Sequence, residues 1–315
     1  MRIFTCFFLG LVIFGFLIPL GSIASSGENT VSPECQDVGS NDVITSPLLS
    51  LVTLNLAHGR KEGLNQMLQK TSTTRRNLED IANFLSDSGA DLIALQEADS
   101  PSLWSGKFNH VDFVAEMSHY PCKVHAHHAT KQMYDFGTAL LSRVPYIESL
   151  THTFAPSPPT TNKGFVLGKV LWNPNGELSQ PVSVSIISVH LDFSRKSVRE
   201  AQIEEMRAML ADIATPLVIL GDFNTDWTTD ASALKHIVEK ADLRVYQTES
   251  NKLGTYKKGK HRLDWILISK DLEFVSYAVP QLILSDHQPV TASIRLVNDP
   301  SIQMDSSKHG QTTAQ

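Results

Sequence analysis

The chain has 315 residues, 42% hydrophobic and 19% charged, with a formal net charge of -6. That composition belongs to an ordinary folded protein and excludes a low-complexity or disordered chain. The acidic balance excludes a general nucleic-acid binder with a basic face, so an anionic ligand must meet a local positive site or a bound cation.

The first stretch, MRIFTCFFLGLVIFGFLIPLGSIASSG, sets one Arg before an apolar run from Ile3 to Leu20, followed by small residues. Ser22-Ile23-Ala24 fits a signal-peptidase site, so residues 1–24 read as a signal peptide cut after Ala24 and the protein as exported, periplasmic or extracellular. Left uncut, the same run approaches the length of a membrane anchor. Residues 25–47 are polar and rich in Ser, Asn and Pro and read as a linker; residues 298–315 read as a flexible tail. Cys6 leaves with the signal peptide, and in an oxidising compartment Cys35 and Cys122 are candidates for one disulfide.

The body, residues 48–297, alternates strand-like and helix-like segments. Short apolar or β-branched runs at 49–56, 91–96, 137–142, 165–172, 182–191, 216–222, 263–269 and 289–296 read as strands. Apolar stripes at helical spacing appear at Leu78, Ile81, Ala82 and Leu85, at Met206, Met209, Leu210 and Ile213, and at Leu234, Ile237, Val238 and Ala241. Many strands with a few amphipathic helices point to an α+β protein in which packed sheets are covered by helices.

Chemistry-bearing residues gather where these strands begin or end. TLNLAHG holds Asn55, LIALQEAD holds Glu97, ISVHLDF holds His190 and Asp192, and VILGDFNTD holds Asp222 and Asn224. HRLDWILIS holds Asp264, and LSDHQPV holds Asp286 and His287. Each alone is an ordinary turn residue, but element ends on a rigid scaffold are where sites are built.

In this order and spelling, TLNLAHG, LIALQE, GTALLSR, SVHLDF, ILGDFN, RLDWIL and SDHQPV resemble the endonuclease/exonuclease/phosphatase superfamily, over about Leu49 to Leu296. The resemblance implies a four-layered α/β/β/α sandwich, two packed mixed sheets flanked by helices, with the site at one end. It implies that Glu97, with Asn55 and Asp286 near it, holds Mg2+, with Mn2+ as a substitute. Asp264 and His287 would form a hydrogen-bonded pair, Asp222 and Asn224 would sit beside the attacking water, and His190 would contact the phosphate.

The chemistry requires such parts independently. A phosphoester is anionic, so it repels hydroxide and gathers charge on its non-bridging oxygens during transfer. A hard cation on one or two carboxylates neutralises that charge and keeps positions open for substrate and water. Asp264 would fix the tautomer of His287 and favour its charged form. Either His287 or Asp222 serves as general base.

The expected activity is that of an exported, metal-dependent phosphoesterase attacking a phosphodiester or phosphomonoester with water. Its partner is a phosphoester substrate, a small molecule or lipid head group in preference to nucleic acid, and the protein is expected to be a monomer without an obligate protein partner. A secreted DNA or RNA nuclease is the alternative within the class. A catalytically silent binding protein is the alternative outside it, and the retention of Glu97, Asp222, Asp264 and His287 speaks against that. Of the remaining clusters, VHAHHAT (124–130) reads as exposed strand histidines. YKKGKHR (256–262) and RKSVR (195–199) read as basic runs able to steer a small anion. TNKGFVLGKV (161–170), with Lys163 at its turn, is similar to segments of sphingomyelinases and inositol-phosphate 5-phosphatases.

Overall fold

A computed structural model describes residues 28–297 except 177–178, 212, 214–215 and 229–230. The expected signal peptide and flexible tail lie outside the described residues. Along the chain run β1 (Glu28–Thr30), β2 (Glu34–Cys35), β3 (Leu49–Asn55), α1 (Thr71–Ser88), β4 (Leu92–Asp99), α2 (His110–Met117) and β5 (Cys122–Lys131). Next come β6 (Tyr134–Ser142), β7 (Glu148–Thr153), β8 (Gly164–Trp172), β9 (Val182–His190), α3 (Lys196–Leu210) and β10 (Leu217–Asp222). α4 (Ala231–Lys240), β11 (Leu243–Val245), β12 (Asp264–Ser269), β13 (Leu272–Ala278) and β14 (Val290–Leu296) complete the series.

The strands form two 7-stranded sheets, one in the order β1-β7-β8-β9-β10-β12-β11 and one in the order β13-β14-β3-β4-β6-β5-β2. Both are mixed, with β9 parallel to β10 and β3 parallel to β4. Strand alternation sorts their side chains into three apolar layers. Leu49, Leu51, Ala94, Ile186, Val218, Leu220 and Ile266 pack between the sheets. Their sequence neighbours Val52, Ile93 and Leu95 pack on α1 and α2 through Leu78, Ile81, Leu85 and Val111. On the other outer face, Ile187, Ile219 and Leu267 pack on α3 and α4 through Ile203, Met206, Leu234 and Ile237. The result is the α/β/β/α sandwich, and each fully buried aliphatic chain contributes roughly 1.5–3 kcal/mol.

The expected helical stripes fall on α1, α3 and α4, with Ile213 past the end of α3 and Ala241 just past the end of α4. α1 stops at Gly89, whose φ of 60° closes the helix in the left-handed region. Besides β1 and β2, three strands are not expected from the sequence, and two of them, β11 and β13, lie on sheet edges where alternation is weakest. The third, β7, has a mixed burial pattern.

Two expectations are corrected. Residues 28–47 are not a loose linker: β1 adds to β7 on one sheet, β2 adds to β5 on the other, and Ile44 is buried against β8. The polar composition misleads because edge strands are held by backbone hydrogen bonds, which need no apolar side chains. The histidines of β5 are not uniformly exposed either. His127 faces solvent beside Asp135, whereas His128 is buried between Thr138 and Thr153. A register shift between His127 and Ala129 breaks the alternation that would have kept them on one pattern.

Cys35 and Cys122 are bonded, closing a loop with a sequence separation of 87. Replacing Cys35 with Ser should lower stability by up to ~4 kcal/mol, the chain-entropy value for a loop of that length. Thermal unfolding of the variant beside the parent checks this, and an unchanged midpoint would show that the arm holds without the bond.

Candidate active site

The site extends the layer between the sheets. In β3 the inward positions run Leu49, Leu51, Thr53, Asn55; in β9 they run Val184, Ile186, Ser188, His190. In β10 they run Val218, Leu220, Asp222, and in β12, read backwards, Ile268, Ile266, Asp264. Each strand changes from apolar to hydrogen-bonding at the same end. The registers Asp222↔His190 and Asp222↔Asp264 set three of the groups in one row. Below the row, Gln96 of β4 donates to Ser188 of β9 at 3.0 Å, and Ser188 donates to the Leu95 carbonyl, tying the two sheets beneath the site.

Local backbone distortions aim the remaining groups. A register shift between Gln96 and Ala98 puts Glu97 at φ 49°, outside the regular alternation of β4. Asn224 sits at φ 49°, donating its backbone N–H to Asp222 and its side-chain amide N–H to the Leu191 carbonyl. Gly221 has φ 146°, and a Cβ there would lie 2.1 Å from the Val189 carbonyl oxygen, so the Gly of GDFN is required by the close approach of β9. Strain of this kind collects at functional sites.

Asp264 bonds His287 Nδ1 at 2.8 Å, as the sequence implied. Burial opposes protonation of His287, but the Asp264 and Asp222 carboxylates prevail and raise its pKa to about 10. The ring is therefore a cation at neutral pH. Asp222 accepts from the Asn55 amide at 3.0 Å, and its carboxylate lies 3.5 Å from His190 Nε2 and 3.9 Å from His287 Nε2. Burial, with the Asp264 charge behind it, pushes Asp222 up to about 7, the range of a proton acceptor in water. These two environments suit different roles, a charged ring at His287 and a proton acceptor at Asp222.

His190 is neutral, because burial and the adjacent Lys163 ammonium hold its pKa well below the usual value. Lys163 Nζ donates to His190 Nδ1 at 3.4 Å, which leaves the proton on Nε2, facing the site. Lys163, a turn residue in the sequence, is thus a buried member of the constellation. His58 lies within TLNLAHG, where the sequence singles out only Asn55. It lies in a 3-10 turn after β3 at φ 53°, with Nδ1 2.7 Å from Asp99 and Nε2 3.3 Å from Glu97. Burial opposes its charge, but Asp99 and Glu97 raise its pKa above the usual value.

Glu97 gathers the positive groups. Although burial opposes ionisation, the charges of His58, Lys163 and His287 lower its pKa to about 2. Glu97 and Asp286 both line two adjoining cavities of about 510 and 530 Å3, which also share Arg60, Tyr256 and Lys257. Arg60 bonds Asp286 at 2.7 Å. An ionised carboxylate open to a cavity, with a second beside it, fits a hard divalent cation. Asn55, the third expected ligand, does not line either cavity: its amide oxygen accepts the Ala57 N–H at 2.9 Å and its amide nitrogen orients Asp222. Asp222, Asp264 and His287 also form a possible metal site, their donor atoms lying within 4.8 Å of one another. Within that triad Asp264 already engages His287 Nδ1 at 2.8 Å and Asp222 accepts from Asn55.

The basic runs divide. Arg199 is buried and donates to the Asp192 carbonyl, and Arg195 donates to the Pro158 carbonyl, so RKSVR is largely structural and not a free anion-steering surface. In YKKGKHR, Arg262 is buried over Trp265, while Lys257 and Lys258 line the cavity.

The family model of endonuclease/exonuclease/phosphatase proteins matches residues 52–287. No curated protein matches the chain in sequence. Among solved structures, an endonuclease/exonuclease/phosphatase from Beutenbergia cavernae DSM 12333 superposes with a TM-score of 0.63 at 16% identity, over 79% of this chain and 72% of that one. A mannosyl-6-phosphatase from Bacteroides thetaiotaomicron VPI-5482 superposes with a TM-score of 0.57 at 16% identity, over 78% of this chain and 99% of that one. A humanized TDP2 of D. rerio does so with a TM-score of 0.56 at 14% identity, over 79% and 100%. Identities this low show a shared fold, whereas the family model spans the motifs from the end of β3 to His287. The chain belongs to the endonuclease/exonuclease/phosphatase family, whose members are hydrolases of phosphoester bonds.

Proposed function

We propose that the protein is an exported phosphoesterase, dependent on Mg2+ or Mn2+, that hydrolyses a small-molecule or lipid head-group phosphoester in preference to nucleic acid. The observation that carries the reading is the pairing of a buried proton acceptor, Asp222, with a fixed imidazolium, His287, at the wall of a cavity that Glu97 and Asp286 also line. Water bonds to phosphorus as its proton passes to Asp222; the bond to the leaving oxygen breaks, and that oxygen takes a proton from solvent. His287 and the Nε2–H of His190 hold the charge that builds on the non-bridging oxygens. A divalent cation on Glu97 and Asp286 would neutralise the same charge.

Substrate size follows from charge. A duplex nuclease gains affinity by neutralising several phosphates along a basic face. Here the net charge is -6 and the RKSVR arginines are engaged internally, which leaves Lys257 and Lys258 at the cavity. That is enough for one phosphate. The disulfide supports export, since such bonds persist in oxidising compartments.

Three measurements test this. Purified protein with Mg2+ should turn over bis(p-nitrophenyl) phosphate or a lipid or inositol phosphoester faster than plasmid DNA at physiological salt, and chelation should abolish turnover. Efficient plasmid degradation without small-substrate hydrolysis would make it a nuclease, and full activity after exhaustive chelation would remove the metal. Among variants, His287→Ala and Asp222→Asn should each lower turnover by ~10² to 10⁴. Asp264→Asn should lose less, and Glu97→Gln should raise the Mg2+ concentration needed for half-maximal rate; unchanged turnover in His287→Ala would break the assignment. N-terminal sequencing of exported protein should begin at Ser25, and retention of Met1 would replace secretion with anchoring.

A further inference from the structure

We infer that the rim of the catalytic cleft is a docking surface for an anionic phospholipid membrane, which would deliver a lipid head group to the site. The inference rests on the phosphoesterase reading and deepens it. The segment after β3 passes along the mouth of the cleft, where Arg60, Gly63, Leu64 and Gln66 line the same cavity as Glu97. Leu64 is fully exposed, Leu68 is 86% exposed, and Met67 between them is half exposed. This is not a loose loop. Asn65 accepts the Met67 N–H at 2.8 Å, and Gln69 donates to the Gly59 carbonyl and to Thr74 Oγ1, each at 2.9 Å. The backbone is pinned, and its apolar side chains point into water.

A second exposed apolar stretch lies beside the turn that carries the cavity lysines. Leu282 and Ile283 stand exposed, Ile283 at 67%, in the loop that leads to Asp286. Gln281 in that loop lies beside Gly259, in the turn that carries Lys257 and Lys258. Those two lysines adopt φ of 49° and 57°, held by the hydrogen bonds between Thr255–Tyr256 and His261. Neither has a carboxylate partner among the described residues, whereas Arg60 is paired with Asp286 and Lys61 with Asp80.

Apolar side chains in two rim segments, with unpaired lysines in the cavity wall, match a surface that presents phosphates above hydrocarbon. Apolar groups enter the head-group boundary while lysines meet anionic lipid. The cleft itself is lined by charged and polar groups, which suits a head group and not an acyl chain. Single exposed apolar residues are ordinary on protein surfaces; a cluster at the mouth of a site marks interaction.

The test is sedimentation of the purified protein with phosphatidylcholine vesicles containing phosphatidylglycerol, alongside turnover of soluble bis(p-nitrophenyl) phosphate. The parent should bind, and binding should weaken as salt screens the lysines. The double variant Met67→Glu, Leu68→Glu should bind about tenfold more weakly, as expected when apolar contact is replaced by like charge at an anionic surface, with soluble turnover unchanged. Ile283→Glu, in the loop beside the lysine turn, should behave in the same way. A parent that stays in the supernatant, variants that bind equally well, or a parent that elutes as a dimer split by the double variant would each overturn the proposal. Vesicle binding without any phosphoester turnover would refute the enzymatic reading and leave the docking surface standing.

Discussion

The two-residue period of the β-strand, combined with cross-strand register, is the constraint on which the molecule depends. Because neighbouring side chains point to opposite faces, Leu51 and Val52, Ile186 and Ile187, or Val218 and Ile219 enter different layers. The same parity that packs the inner layer carries Asn55, His190, Asp222 and Asp264 to its open end. A slip of one residue in β10 would turn Asp222 toward the helices and Leu220 out of the core together. Core and catalytic row are therefore specified by one register, and Gly221 lets β10 lie close enough to β9 to keep it.

Charge is organised around two acid–imidazole pairs. Asp264 with His287 is one and Asp99 with His58 the other, and both rings are raised in pKa by their carboxylates. Burying isolated ions is unfavourable, and the arrangement offsets this by making every buried charge a neighbour of its opposite. Glu97, on its distorted stretch of β4, feels the charge of both rings and is open to the cavity. The result is a site that is charged in detail although it sits at the end of an apolar layer.

The fold was largely legible because strands such as VILGD and helices such as LEDIANFL have unambiguous periods. The group of Asn55, His190, Asp222, Asp264 and His287 was legible because each opens, closes or flanks such a strand in motif spelling. What escaped depended on three-dimensional detail. His58 comes to the site through a left-handed turn with no local signature, and Lys163 looks like an ordinary turn residue until β8 is set against His190. Whether an arginine is free or spent on carbonyls, as Arg195 and Arg199 are, is settled only by its neighbours. The arm at 28–47 escaped because backbone pairing leaves little trace in composition.

That arm leaves β1 on one sheet, reaches β2 on the other, and returns to lie against β8, where Trp172 donates to the Ser46 carbonyl. It covers β7 and β5, which would otherwise be the outermost strands on that side of each sheet. An unpaired outer strand is a template for another chain, and a detachable arm is a means of exchange between copies. The Cys35–Cys122 bond ties the arm to its own β5. A molecule that has closed this bond cannot lend its arm to a neighbour through that strand, so oxidation would commit each copy to folding alone.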